Sequence, residues 1–411
     1  MDEVKKITIE AYDYPLPEHR IARYPLAQRD QSKLLLQIGD HLSQAVFSQI
    51  GNFLPQNSLL ITNETKVIKA RLLFKKEGGA AIEVFCLEPQ NGHLNDSLQG
   101  ATASPVVWKC FVGNSKRWKS GQLKLEVVIQ GQRLELIAER VAQTNDHSLV
   151  QFSWNNPTLD FSDLLAHFGE LPLPPYLNRK AEKSDLERYQ TVFAKNEGSV
   201  AAPTAGLHFS ADLVATLKAQ GVQFEKLTLH VGAGTFKPVA TDTIGNHAMH
   251  AESFFVAREL IVQLINHIGK PIIPVGTTSM RTLESLYWLG VSLMKNSSPQ
   301  PPLDLLQWTA YQTPNESQPS AALALTELLK YISNNNLSGI SASTALMIAP
   351  GYRFRVATGL ITNFHQPKST LLLLVAALIG KRWQTAYQYA LDNDFRFLSY
   401  GDGCLMLPEQ I

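Results

Sequence analysis

Pro271-Ile272-Ile273-Pro274-Val275-Gly276-Thr277-Thr278-Ser279-Met280-Arg281 changes character halfway along. Its first five residues are apolar and suit a buried strand, while Gly276 frees the backbone and three hydroxyl residues then open a helical pattern that continues to Leu289. A strand that passes into a helix through such a junction is the building unit of an α/β sheet with parallel pairing. The same rhythm surrounds it. A helix over 211–219 ended by Gly221, a strand over 224–230 and a helix over 259–268 ended by Gly269 come before. A helix over 321–332, strands over 346–348 and 360–363, helices from Thr370 and over 383–391, and a strand and turn over 397–403 come after.

Between about Ser58 and Trp154 the pattern is different. Short β-prone runs at 59–61, 70–74, 81–85, 106–112, 123–129, 134–137 and 149–154 are separated by Gly, Asn, Asp and Ser, which favours a small barrel or sandwich. The expected fold is therefore α/β: a three-layer or barrel-like catalytic domain built from residues 1–63 and 156–411, with a small antiparallel β-barrel domain inserted at 64–155. A helix is expected at 161–168, and the charged run 178–190 reads as mobile. Residues 295–322 are turn- or linker-like.

The 411 residues are 45% hydrophobic and 18% charged, with a formal net charge of +1, so any nucleic-acid contact must come from local patches. Cys86, Cys110 and Cys404 lie far apart and in no paired motif, which fits a reducing compartment. The N-terminal residues lack the apolar core of a signal peptide, and the most apolar run, 371–380, is too short to cross a bilayer. A cytoplasmic location is the expectation. Two basic groups stand out. Arg20, Arg23, Arg29 and Lys33 line a proline-broken segment, either a solvated arm or one that contacts anions. Lys116-Arg117-Trp118-Lys119 sits in a turn, either as an ordinary hairpin tip or as a place where phosphate is neutralised and Trp118 stacks on a base.

Two stretches of small residues carry a histidine each: Ala201-Ala202-Pro203-Thr204-Ala205-Gly206-Leu207-His208-Phe209 and Leu229-His230-Val231-Gly232-Ala233-Gly234-Thr235-Phe236. Too light for a core and too uncharged for a plain surface loop, they read as the floor of a ligand site. The Gly232-Ala233-Gly234 element lacks the third glycine of a dinucleotide loop. At the Gly276 junction, hydroxyls and unpaired amides favour an anion that Arg281 could clamp, or Thr278 and Ser279 simply cap the helix. Glu284 lies one turn further on. His247, His250 and Glu252 could orient a substrate; lacking a third ligand group beside them, they leave metal the lesser reading. His365 and Lys368, before the apolar helix, would face a cleft at the sheet's edge, and Asp402 between two glycines is a turn residue or a site carboxylate.

Taken together, these segments resemble the S-adenosylmethionine:tRNA ribosyltransferase-isomerase family of queuosine biosynthesis. The resemblance is carried by residues 12–17, 63–72, 172–176, 187–192, 198–209, 228–236, 247–252, 275–281, 350–352, 360–370 and 399–402, in the family's order. Departures occur at Glu64, Lys66 and Lys69, at Ala345 where an acid is usual, at Gln366, and at Gly403-Cys404; residues 292–343 form a longer stretch than is usual. The resemblance implies that the ribosyl unit of S-adenosylmethionine is moved onto the aminomethyl group of a 7-deazaguanine at the tRNA wobble position. Isomerisation then gives epoxyqueuosine, with adenine and methionine released. It implies an acid/base set of His208, His230 and His365, with Asp402 or Glu284 orienting a histidine or binding ribose hydroxyls. Arg281 with Thr277 and Thr278 would hold the methionine carboxylate, and Thr204, Gly206, Gly232, Gly234, Thr235, Gly276 and Lys368 would complete the substrate site. Arg20, Arg23, Lys116, Arg117 and Lys119 would contact tRNA; no metal and a monomeric enzyme are expected. Two other readings compete. A serine or threonine hydrolase needs a G-x-S-x-G elbow, which is absent, and a non-catalytic tRNA-binding protein would have no need of the histidines and Arg281.

Overall fold

The computed structural model describes residues 2–76, 78–90, 98, 105–129, 131–144, 147–232, 239–295, 303–314 and 317–408. It is a mixed α/β fold with several sheets. One six-stranded sheet has the order Ile272–Pro274, Leu59–Asn63, Gln223–Leu229, Glu252–Ala257, Gly339–Thr344, Leu303–Leu305. Its first three strands run parallel, the next two pairings are antiparallel, and the last is parallel again. A four-stranded sheet of Leu360–Asn363, Gly403–Leu407, Lys33–Ile38 and His41–Val46 adjoins it. The two meet at a parallel bridge between Val275 and Ile361, where the Gly276 amide donates to the Ile361 carbonyl at 2.8 Å.

Strand alternation explains why both faces of this wall are apolar. Leu59, Ile61 and Ile272 point into one core, and Leu60, Ile273, Val275 and Ile361 into another. The first core is organised by the helix Thr277–Lys295, which runs beyond the expected end at Leu289 and has 16 of its 19 residues buried. Helix Ala321–Asn334 packs on it so closely that a Cβ on Gly290 would fall 2.0 Å from the Ala324 carbonyl oxygen.

A seven-stranded antiparallel sheet takes the order Gly169–Glu170, Arg71–Lys75, Ala81–Pro89, Val106–Gly113, Ser148–Trp154, Gln132–Gln143, Gln122–Ile129. It encloses its own core around Trp108, Trp118, Phe152 and Phe161. Helix Phe161–Phe168, capped by Asp160 accepting the Asp163 amide at 3.0 Å, packs into the same core.

Three expectations are corrected. Residues 346–348 are apolar and buried but form no strand; the strand is Gly339–Thr344, and the amides of Ala345 and Met347 are answered singly by the carbonyls of Leu305 and Gln307. The charged run 178–190 is pinned in place. Asp185 is buried, takes a two-pronged bond from Arg179 at 2.7 and 2.8 Å, and accepts from the Tyr400 hydroxyl at 2.8 Å. Trp118 is wholly buried with its indole N–H on the Gly121 carbonyl at 2.9 Å, so it fills the core of the seven-stranded sheet and has no face for a base. Among the described residues no helix is long and apolar enough to cross a membrane.

Candidate active site

The strand-to-helix junction opens a cleft. Gly276 has φ +94°, a conformation other residues adopt only with strain, and this turn aims the first residues of the buried helix, Thr277 and Thr278, at the space. A helix start leaves its amides without intrahelical acceptors, so this wall favours an anionic or strongly accepting group. Facing it are residues 201–205, which include Thr204, and residues 362–366. Tyr176 and Ser399 close the side, their hydroxyls 2.5 Å apart.

His365 is the histidine that lines this cleft. It is anchored on every side but one. Its amide donates to the Tyr387 hydroxyl at 3.1 Å, its carbonyl accepts from Tyr14 at 2.5 Å, and Nε2 meets the Thr362 hydroxyl at 2.9 Å. Nδ1 is left as the ring atom with no partner among the described residues. Burial pushes its pKa down to about 3, so the ring is neutral at physiological pH.

A second hollow adjoins the first through Leu371, which lines both. Its walls include His247, His250, Gly232 and the buried ion pair of Arg281 and Glu252, 2.9 Å apart. The other Glu252 oxygen accepts the Gly232 amide at 3.4 Å. Among the described residues no group of three or more His, Cys, Asp or Glu side chains could hold a metal ion.

The family model described as "Queuosine biosynthesis protein" matches residues 9–406, which include every wall of both hollows. The chain belongs to that family. A S-adenosylmethionine:tRNA ribosyltransferase-isomerase of Syntrophotalea carbinolica is 38% identical over 402 residues, 96% of this chain and 98% of its own. One of Trichlorobacter lovleyi is 35% identical, with 97% and 99% covered. A crystal structure of a S-adenosylmethionine tRNA ribosyltransferase from Thermotoga maritima is 26% identical, covering 96% of this chain and 99% of its own, with a TM-score of 0.45.

Within this queuosine-family chain, the remaining expected site residues sort by place. His208 lies behind the floor, stacked on Phe47 with ring centroids 4.8 Å apart and bound through Nδ1 to the Ser32 hydroxyl at 2.8 Å. Burial first, then the positive charge of Arg396, lowers its pKa to about 3. His230 follows a central strand; burial lowers its pKa to about 4, and its buried Nδ1 lacks a partner among the described residues. Gly206 is buried against Thr191 below the floor. Gly234 and Thr235 lie outside the described residues.

Three side chains are committed elsewhere. Glu284 is fully buried and accepts from the Tyr352 hydroxyl at 2.8 Å and from the amides of Arg355, Val356 and Ala357 at 2.9, 3.0 and 3.0 Å. It staples residues 352–357, and no histidine is among these partners. Asp402 accepts from the amides of Lys33 and Arg396 and pairs with the Arg396 guanidinium at 3.2 Å, which fixes the last turn before the strand Gly403–Leu407. Lys368 turns to Glu10 and Asp13, at 2.8 and 3.1 Å.

Of the basic residues, Arg20 is tied to Asp394 at 2.6 Å and to the Leu391 carbonyl, and Arg23 is exposed beside Glu18. Lys116, Arg117 and Lys119 are exposed around buried Trp118. Sequence reasoning passed over Ser32, and quoted Thr362, Asn363, Tyr176 and Ser399 without giving them a role at the site; Glu252 was weighed only beside His247 and His250. Tyr176 and Ser399 stand inside stretches that carried the family resemblance, but Ser32 has no local signal, since 176 positions separate it from the histidine it holds.

Proposed function

We infer that this protein is a S-adenosylmethionine:tRNA ribosyltransferase-isomerase. S-adenosylmethionine is its consumed co-substrate, and tRNA bearing the aminomethyl-7-deazaguanine is its acceptor. The observation that carries the site assignment is a neutral His365 whose one unpartnered ring nitrogen belongs to a residue lining the cleft at the Gly276 junction. The two adjoining hollows suit a reaction that must hold a sulfonium nucleoside and an extruded base side by side.

The proton traffic follows from the state of that ring. The sulfonium acidifies the C5′ hydrogen of its ribose. A neutral imidazole that keeps its one N–H at Nε2, toward Thr362, has a bare Nδ1 that can accept this proton and has none to give beforehand. Once protonated, the same Nδ1 is the acid from which departing adenine takes its proton, so one histidine serves both steps. Thr277, Thr278 and the free amides beside them are placed for the methionine carboxylate. Arg281 lines the adjoining hollow, where its pairing with Glu252 keeps its guanidinium oriented. His208, held by Ser32 behind the floor, supports the loop that carries Thr204. The finer architecture proposed is a barrel-like catalytic domain of residues 1–63 and 156–411 with residues 64–155 inserted as a tRNA-contacting module. The enzyme would act as a cytoplasmic monomer.

The test is adenine release. Incubated with S-adenosylmethionine and precursor-bearing tRNA, the protein should release adenine only when both are present. His365→Ala should lower kcat by roughly 10²–10⁴. Release in neither case, or near-normal rates for His208→Ala, His230→Ala and His365→Ala alike, would overturn the assignment.

A further inference from the structure

Tyr24 is half exposed, at 52%, yet it is rigidly mounted. Its ring lies on the guanidinium of Arg179, 4.2 Å from the centroid. That guanidinium is in turn fixed by the two-pronged bond to buried Asp185 and by the carbonyls of Arg23 and Lys180, at 2.8 and 3.0 Å. The Tyr24 hydroxyl adds a 3.0 Å bond to Glu182. One face of the ring is thus covered by a cation with nowhere else to go, while the residue as a whole stays half exposed. Burying the face would be the ordinary fate of a tyrosine; here the protein invests a buried ion pair in holding it out.

A short chain of contacts links the platform to the cleft wall. Ile21 bridges Phe397, whose next two residues, Leu398 and Ser399, line the cleft wall. From Ser399 the chain continues to Tyr400, which bonds Asp185, which holds Arg179 under Tyr24. Lys180 and Lys183 are exposed in the neighbouring segment, on either side of the Glu182 that takes the Tyr24 hydroxyl, and Arg23 is paired with Glu18.

We propose that Tyr24 is a stacking platform for an unpaired nucleobase of the anticodon loop, next to the base that enters the cleft. The proposal rests on the tRNA reading above. It replaces Trp118 as the aromatic that meets RNA, and it explains why residues 178–190 are pinned although they are highly charged. Stacking on an aromatic face is indifferent to base identity, so the platform would position the loop without selecting its sequence.

The experiment compares Tyr24→Ala, Tyr24→Phe and Tyr24→Trp with the unaltered enzyme. Readouts are the KM for precursor-bearing tRNA, the KM for S-adenosylmethionine, and binding of an anticodon stem-loop RNA across a salt series. Tyr24→Ala should raise the tRNA KM by about tenfold and weaken stem-loop binding in step. The S-adenosylmethionine KM and the salt dependence should not change, because no phosphate contact is lost. Tyr24→Phe and Tyr24→Trp should keep most of the affinity. A tRNA KM within twofold of normal in Tyr24→Ala, or a Tyr24→Phe as impaired as Tyr24→Ala, overturns the proposal. If the unaltered enzyme releases no adenine, the functional reading fails; the stem-loop arm still decides the platform by itself.

Discussion

Three histidines stand in similar small-residue or polar settings along the chain, and burial gives them different work. His365 lines the cleft with Nδ1 unanswered, while His208, wedged between Ser32 and Phe47, and His230 each bury a ring nitrogen (Nε2 and Nδ1) that has no partner among the described residues. All three have pKa values pushed below the ordinary 6.5, to about 3 for His208 and His365 and about 4 for His230, chiefly by burial. The unfolded chain therefore takes up protons before the folded one as pH falls. Stability is fully expressed above about pH 6.5 and is lost progressively as pH falls toward these lowered values. At pH 5 each such histidine should weigh against the fold by on the order of 2 kcal/mol relative to pH 8. Thermal melts at pH 8 and pH 5 should show a clear fall in Tm, and His208→Gln should make that fall smaller. An identical pH dependence in the two proteins would refute the argument.

The helix Thr277–Lys295 shows how one element serves both stability and site. Its start supplies the cleft wall, and its remaining length is sealed between sheet and neighbouring helices, so a disturbance at its far end should leave the chemistry intact. Gly290 is the sensitive point, since any Cβ there meets backbone of helix Ala321–Asn334. Gly290→Ala should force the two helices apart and cost roughly 1–3 kcal/mol, despite alanine's better helix propensity. Denaturant unfolding measures this: a midpoint equal to or above that of the unaltered protein would show that the helices separate freely. The start of this element was legible in the junction from glycine to hydroxyls. Its length was not, because Gly290 reads as a helix end just after Leu289, whereas in the fold it stays helical and gives room to the backbone of Ala324.

At the scale of the whole molecule, the antiparallel sheet presents Lys116, Arg117 and Lys119 on an exposed turn whose tryptophan is locked in the core. The contact proposed for that turn is therefore with phosphate, without stacking. Replacing all three with alanine should raise the tRNA KM and flatten its dependence on salt, leaving the S-adenosylmethionine KM untouched. An unchanged salt slope would place the footprint elsewhere. This is the opposite signature to that of Tyr24→Ala, and the two together separate electrostatic positioning from stacking.

The sequence by itself determined the alternation of elements, the family, and the segments that gather at the cleft. These are properties of local pattern: apolar period, glycine at a junction, hydroxyls before a helix, each readable within a dozen residues. The tertiary structure alone decided which polar residues face the cleft. Glu284, Asp402 and Lys368 read as site residues because they are polar and near motifs, yet each is spent on a partner far away in the chain: Tyr352 and the amides of 355–357, Lys33, and Glu10 with Asp13. A side chain's direction depends on what lies across from it, and that is set only when distant segments meet. The junction at Gly276 was visible as a turn, but only the fold placed residues 201–205 and 362–366 across from it and set His365 in the cleft wall.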